Sequence, residues 1–299
     1  MNKKKVNNYW SSFSQKKRKK LSWLESETIK SFINKRISGN EHKGSYQMAI
    51  DQYGQFDRAL IVGCGSGELE RDLYRLGFFK EAVGIDIAEG SIKLAKRKLV
   101  EEGIDKIKYL NFDLDSKSFK KLGFFDVIIV NMIAHHIADL NSFFKKLSEV
   151  LTDNGRLIMQ EYIGPNRFQH NKKTIHIINS ILNVLDDSLK INNMPGAELS
   201  LKNDYVPNTI EHFLATDPSE AICSAKIMTN FKKYFITDSQ KDFGGNINHM
   251  LLSGIVNNFE DCANGHQILK LLMVFEELLE KYEVIKTDFT FVLGRKKIK

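Results

Sequence analysis

The stretch Ala59-Leu60-Ile61-Val62-Gly63-Cys64-Gly65-Ser66-Gly67-Glu68 decides the fold. Four consecutive apolar residues make a short buried strand, and the glycines behind them permit the positive φ of a tight turn and the close approach of a ligand. Glu68–Leu76 continues in a helical pattern, so a helix amino terminus with free N–H groups faces the turn. A dinucleotide loop would read G-x-G-x-x-G. Here the third glycine comes one place early and Glu68 takes its position, which disfavours a nicotinamide or flavin cofactor. Cys64 suits the loop by its small size.

Outward from this loop, short apolar runs at Ala82–Ile87, Ile107–Phe112, Phe125–Val130 and Arg156–Gln160 alternate with helical stretches at Ser91–Glu101, Ser116–Leu122 and Asp139–Leu151. That alternation predicts an α/β fold with a mostly parallel, doubly wound sheet that binds its ligand at the carboxyl ends of the strands. Residues 1–56 read as a helical amino-terminal cap and 57–161 as the cofactor-binding core. Residues 162–215 read as a helical insertion or lid. The segment 216–299 completes the sheet, with strands near Tyr234–Phe243 and Val284–Gly294 and a helical insertion at 246–282. Asp217-Pro218-Ser219-Glu220 has the residues of a helix start, with Asp217 as N-cap.

Two further strand ends carry polar groups. Asp86 lies 19 residues beyond Gly67, where a carboxylate can accept both hydroxyls of a ribose; it can also cap the helix near Ser91. Asp113, in Asn111-Phe112-Asp113-Leu114, can accept a hydrogen bond from an exocyclic amine such as that of adenine, or serve as a turn residue.

Together these residues resemble the class I S-adenosylmethionine-dependent methyltransferases of small-molecule type, clearly over about residues 55–161. The resemblance implies a Rossmann-like, seven-stranded sheet. It implies that Gly63, Cys64, Gly65 and Gly67 shape the methionine end, that Asp86 holds the ribose, that Ile87 packs on adenine, and that Asp113, beside Leu114, holds the adenine amine. Asn131 and Met132 match the family's fourth-strand loop beside the methyl group. Tyr9 and Trp10 are expected to close over the cofactor from the amino-terminal helix.

The fourth-strand loop continues Ile133-Ala134-His135-His136. It lacks the Asn/Asp-Pro-Pro-aromatic pattern of nucleic-acid adenine methyltransferases, and no Pro-Cys pair exists to attack a pyrimidine. His135 and His136 are the candidate general bases, since imidazole titrates near neutrality. They can instead pack under the cofactor and cap the next helix. Tyr162, Arg167 and Gln169 follow the fifth strand, and His249 follows Gly244-Gly245; these are the candidate acceptor contacts. Arg167 suits a phosphate or carboxylate, which admits an anionic acceptor, and can equally pair with Glu161 or cap a helix. The stretch Tyr162–Gln169 resembles a methyltransferase subgroup acting on glycans and natural products. The reading is methyl transfer to oxygen of a small molecule such as a sugar, glycan precursor or nucleotide-linked metabolite. Nitrogen of a small molecule, RNA methylation, and a non-catalytic S-adenosylmethionine-binding module remain the alternatives.

Composition sets the remaining bounds. A hydrophobic fraction of 42% suffices for a core, and no apolar run is long enough to span a bilayer. With no apolar segment behind Lys3, Lys4 and Lys5, a cytoplasmic location is expected. Cys64, Cys223 and Cys262 have neither disulfide nor zinc spacing, so free thiols and no bound metal are expected. The net charge of +7 is concentrated in Lys16–Lys20 and Arg295–Lys299. These blocks read as solvated surface in preference to a nucleic-acid patch.

Overall fold

The computed structural model describes residues 3–13, 22–116 and 118–297. The basic block at 16–20 therefore lies outside the described residues. Seven strands form one sheet: β1 (Phe56–Val62), β2 (Phe79–Asp86), β3 (Ile107–Asn111), β4 (Phe125–Asn131), β5 (Leu151–Tyr162), β6 (Phe235–Gly244) and β7 (Phe289–Lys296). Their order is β3-β2-β1-β4-β5-β7-β6. The first five pair in parallel, whereas β7 runs antiparallel to both β5 and β6.

Alternation along β1 explains why a four-residue apolar run lies at the centre of the sheet. Ala59 and Ile61 join the core on one face and Leu60 and Val62 the core on the other. On the second face α6 (Leu140–Val150) buries Leu140, Phe143, Phe144, Leu147 and Val150, one stripe at helical spacing. The intervening helices are α4 (Glu68–Arg75) and α5 (Glu89–Glu102). The strand order reverses between β1 and β4, so the loops after these strands diverge and leave a crevice.

Three helices precede β1: α1 (Lys3–Phe13), α2 (Glu27–Ser38) and α3 (Ser45–Tyr53). Between β5 and β6 lie α7 (Lys172–Val184), α8 (Ile210–Ala215) and α9 (Ile227–Tyr234). Between β6 and β7 lie α10 (Asn248–Leu252), α11 (Val256–Glu260) and α12 (Gly265–Lys281). Among the described residues no helix is long and apolar enough to cross a membrane.

Three expectations are corrected. Ser116–Leu122 supplies only a 3₁₀ turn at Phe119–Leu122, because Phe119 is its single buried anchor and Gly123 ends it at φ 91°. Val284 and Ile285 precede β7; the Val284 N–H closes the end of α12 on Leu279, overriding their strand propensity. Asp217 starts a turn and not a helix. Its Oδ1 accepts from the Ser219 N–H at 2.8 Å, Ala221 then turns left-handed at φ 46°, and helix resumes only at Ile227.

The β6–α10 junction is held by one buried carboxylate. Glu276 accepts from the N–H groups of Gly245 (3.0 Å), Ile247 (2.6 Å) and Asn248 (3.1 Å). Replacing Glu276 with Ala orphans three buried donors, so a loss of about 3 kcal/mol or more is expected in urea unfolding. A change below about 1 kcal/mol would show that the junction does not depend on this group.

Candidate cofactor and acceptor site

At the end of β1 the N–H groups of Gly63 and Cys64 both bond to Ile85 O of β2, so the chain turns away from the sheet at once. Gly67 begins α4 at φ 74°, and a Cβ there would collide with the Tyr109 hydroxyl. That hydroxyl donates to Gly67 O at 3.0 Å. Both facts require glycine at this position. The turn presents Gly65 to Asp86, whose Oδ2 accepts from the Gly65 N–H at 2.9 Å and whose Oδ1 accepts from the Ala88 N–H at 2.7 Å. Burial outweighs these donors and raises the Asp86 carboxyl above its ordinary range. Each oxygen keeps further lone-pair capacity for a hydroxyl of a ligand.

A cavity of about 360 Å³ opens at the crevice. Of the sequence-selected residues, Gly63, Gly65, Asp86, Ile87, Asp113, Leu114, Met132, His136 and Trp10 line it. Cys64 is buried, Gly67 abuts Tyr109, and Asn131 ends β4 in register with Gln160; none of the three lines the cavity. Tyr9 is 37% exposed, stands edge-on to Trp10 and does not line the cavity. Lys3, Ser91, Ile133 and Ser219 line the cavity without having been singled out in the sequence. Asp113 is both a turn residue and an ion-pair partner: it accepts from the Asp115 N–H and holds Lys3 at 2.7 Å. Its partial burial raises the carboxyl, but Lys3 and that N–H outweigh burial and leave it below the usual range.

The two histidines face different partners. His135 is buried, and its Nδ1 is hydrogen-bonded to Glu161 Oε1. Burial pushes this imidazole down, but Glu161 and Glu220 outweigh burial and raise it to about 9. His136 lines the cavity, with its Nδ1 3.0 Å from Ser219 Oγ. Ser219 Oγ donates its one proton to Asp217 Oδ1 at 2.5 Å, so it can only accept from His136. The proton therefore sits on Nδ1 and the lone pair on Nε2. Burial and then His135 lower this group well below the ordinary imidazole range. Trp10 completes the arrangement, donating from Nε1 to Asp217 at 3.1 Å and standing edge-on to His136.

The expected acceptor contacts are directed elsewhere. Arg167 is buried and donates to Glu220 O at 2.6 Å and Pro218 O at 2.7 Å, fixing the 217–220 turn. It is neither paired with Glu161 nor open to an anion, because its planar fork is matched to these carbonyls. Tyr162 donates to Pro165 O, and Gln169 donates to Arg167 O and Asn208 O. His249 packs edge-on against Tyr162, Phe168 and Phe289, and burial lowers it to about 3. None of the four lines the cavity. The structure instead brings Glu220 to the histidine pair; only the contact of two distant loops reveals it.

Beneath the glycine turn lies Glu70, with both carboxyl oxygens buried and without a hydrogen-bond partner. Burial raises it from 4.5 to about 8. The folded protein therefore takes up a proton that the unfolded chain releases near 4.5. The resulting stabilisation is full below that value and is lost as pH rises through about 8. The thermal midpoint is expected to fall between pH 5 and pH 8.5, and Glu70→Gln is expected to flatten this slope. An equal slope in the variant would remove Glu70 as its source.

Comparison with known proteins agrees with this geometry. Residues 60–159 match the family described as "Methyltransferase domain". The ubiquinone biosynthesis O-methyltransferase of Caulobacter sp. (strain K31) is 32% identical over 102 residues, covering 34% of this chain and 39% of that protein. The demethylmenaquinone methyltransferase of Lactococcus lactis subsp. lactis is 30% identical over 136 residues, covering 44% and 54%. The chain thus spans about two fifths to one half of the length of these relatives. The crystal structure of geranyl diphosphate C-methyltransferase from Streptomyces coelicolor A3(2) shares the fold, with a TM-score of 0.53, 13% identity and coverage of 99% of this chain and 98% of that one. With the glycine turn, the Asp86 strand end and the sheet order in place, the core of this chain belongs to the class I S-adenosylmethionine-dependent methyltransferases.

Proposed function

We propose that the chain methylates a hydroxyl oxygen of a small molecule that enters beside His136. The observation that supports this most is the Asp217–Ser219–His136 chain, which leaves the Nε2 lone pair of His136 at the cavity wall.

The residues present fit the cofactor. Gly65 and Asp86 form a cradle with lone pairs for ribose hydroxyls, and Ile87 and Leu114 supply apolar surface for adenine. Asp86, Asp113, Asp115 and Asp139 stand against the single lysine Lys3 in the cavity wall. That balance favours a ligand of net positive charge. S-adenosylmethionine has this charge and supplies an electrophilic methyl group on a sulfonium. His136 Nε2 accepts the hydrogen bond of the acceptor hydroxyl and takes its proton as the oxygen is methylated. Trp10 and the rest of α1 roof the cavity and exclude water.

The same charge balance favours a neutral acceptor over an anionic one, since Arg167 is committed to carbonyls. A roofed cavity suits a small molecule better than a duplex. The name of the Caulobacter relative supports oxygen as the acceptor atom.

Incubating the protein with S-adenosylmethionine and pools of hydroxylated metabolites, followed by mass spectrometry, is expected to show one added methyl on a specific neutral compound. Methylation of amines or RNA alone would overturn the oxygen reading. Asp86→Ala is expected to weaken the cofactor by about 100-fold in calorimetric titration, the equivalent of about 3 kcal/mol for charge-assisted bonds to two hydroxyls. His136→Ala is expected to lower kcat by about 100-fold or more at saturating acceptor. An unchanged kcat would exclude His136 from the reaction.

A further inference from the structure

We propose that His135, His136 and Glu220 form a binding site for a divalent transition-metal ion at the acceptor end of the cavity. The ligand atoms of these three residues lie within 4.8 Å of one another. His135 Nε2 is 3.6 Å from Glu220 Oε1, and His136 Nε2 is 3.9 Å from Glu220 Oε2. A tetrahedral ion with ligands about 2.1 Å away holds its ligand atoms about 3.4 Å apart. The two histidine–carboxylate spacings exceed this by a few tenths of an ångström, and drawing all three ligand atoms from within 4.8 Å onto one ion takes side-chain rotations.

The outer contacts single this cluster out from a chance meeting of polar groups. Each imidazole has its Nδ1 occupied by a group that turns Nε2 toward Glu220. For His135 that group is Glu161, which also accepts from the N–H groups of Ile133, Ala134 and Tyr162. For His136 it is Ser219, backed by Asp217. Carboxylate or hydroxyl partners on the far nitrogen are the usual support of metal-bound histidine. Glu220 is held by its backbone, since Arg167 grips Glu220 O and Pro218 O, and the Ile222 N–H bonds to His135 O at 3.0 Å. Two imidazoles and one carboxylate suit zinc, cobalt or iron better than magnesium, which prefers an all-oxygen shell.

Three protein ligands leave at least one coordination position, and His136 opens that position to the cavity. Its use in catalysis rests on the function proposed above and changes one step of it: with Nε2 bound to the ion, His136 no longer takes the proton, and an acceptor hydroxyl bound to the ion would be acidified and lose its proton to water before its oxygen attacks the methyl group. Binding itself does not rest on that function.

The test is equilibrium dialysis of the chelator-treated full chain against Zn²⁺ and Co²⁺, without cofactor or acceptor. One equivalent per chain is expected, with visible Co²⁺ absorption bands of a low-symmetry nitrogen–oxygen site. Glu220→Gln and His135→Asn are each expected to weaken binding by about 100-fold or more. Glu161→Gln, acting only through His135, is expected to weaken it by about 10- to 100-fold. Thermal melts of the variants identify any that fail to fold, and the Co²⁺ spectrum then decides on those that do. Less than a tenth of an equivalent bound, or binding equally tight in Glu220→Gln, would overturn the metal site and leave the methyl-transfer reading standing. Stoichiometric binding in a protein that methylates nothing would support the metal site and sink the other proposal.

Discussion

The buried carboxylate of Glu161 is the interaction on which the site depends. It ends β5, yet its oxygens accept from the N–H groups of Ile133 and Ala134 after β4, from the Tyr162 N–H, and from His135. Two strand ends are thereby joined by one side chain, and the loop carrying both histidines has no freedom to lift off the sheet. Met132 is held left-handed at φ 52° directly before this loop. A non-glycine residue in that region costs energy and persists only where surrounding bonds over-determine it. Here Glu161 and the Met132 N–H bond to Gln160 O supply that determination.

Arg167 plays the matching part on the opposite wall. Arg167, Phe168 and Ala221 all have positive φ, and Arg167 links the two segments by its guanidinium and by its N–H to Ala221 O. The 217–220 turn is therefore built from outside, by a residue some fifty positions earlier in the chain. Its product is a set of fixed groups, Asp217, Ser219 and Glu220, presented to the histidine pair. Cavity and acceptor end are joined because His136 and Ser219 belong to both.

This division explains what could be read from the sequence. The strands β1 to β4 and the second half of β5 were legible as short apolar runs; the start of β5 at Leu151 was not, because Thr152-Asp153-Asn154-Gly155 is polar. Gly63, Gly65 and Asp86 were legible because a parallel sheet brings successive strand ends to one edge. The role of Arg167 stayed open between an anion contact and a structural one, because composition cannot tell a guanidinium aimed at solvent from one spent on carbonyls. Glu220 was invisible as a partner of the histidines for the same reason: it enters through a long-range turn with no strand or helix period to predict its place. Asp217 looked like an N-cap, and its side chain does cap one N–H, that of Ser219, in an isolated turn.

The roof of the cavity adds a constraint on movement. Among the polar contacts that dock helix α1, Ser11 Oγ accepts from the Gly90 N–H, Asn7 from the Glu89 N–H, Lys3 pairs with Asp113 and Asp115, and Lys5 donates to Leu214 O. The first two bonds cap α5, whose own N-cap, Ala88, has no side chain to do so. Such partly exposed contacts cost far less to break than the apolar core beneath them. Lys3, Val6 and Trp10 of this helix line the cavity, and Trp10 donates to Asp217. Lifting α1 therefore withdraws one of the donors that hold Asp217, and through Ser219 loosens the orientation of His136. The indole of Trp10 thus ties the cavity wall to the hydrogen bonds that orient His136.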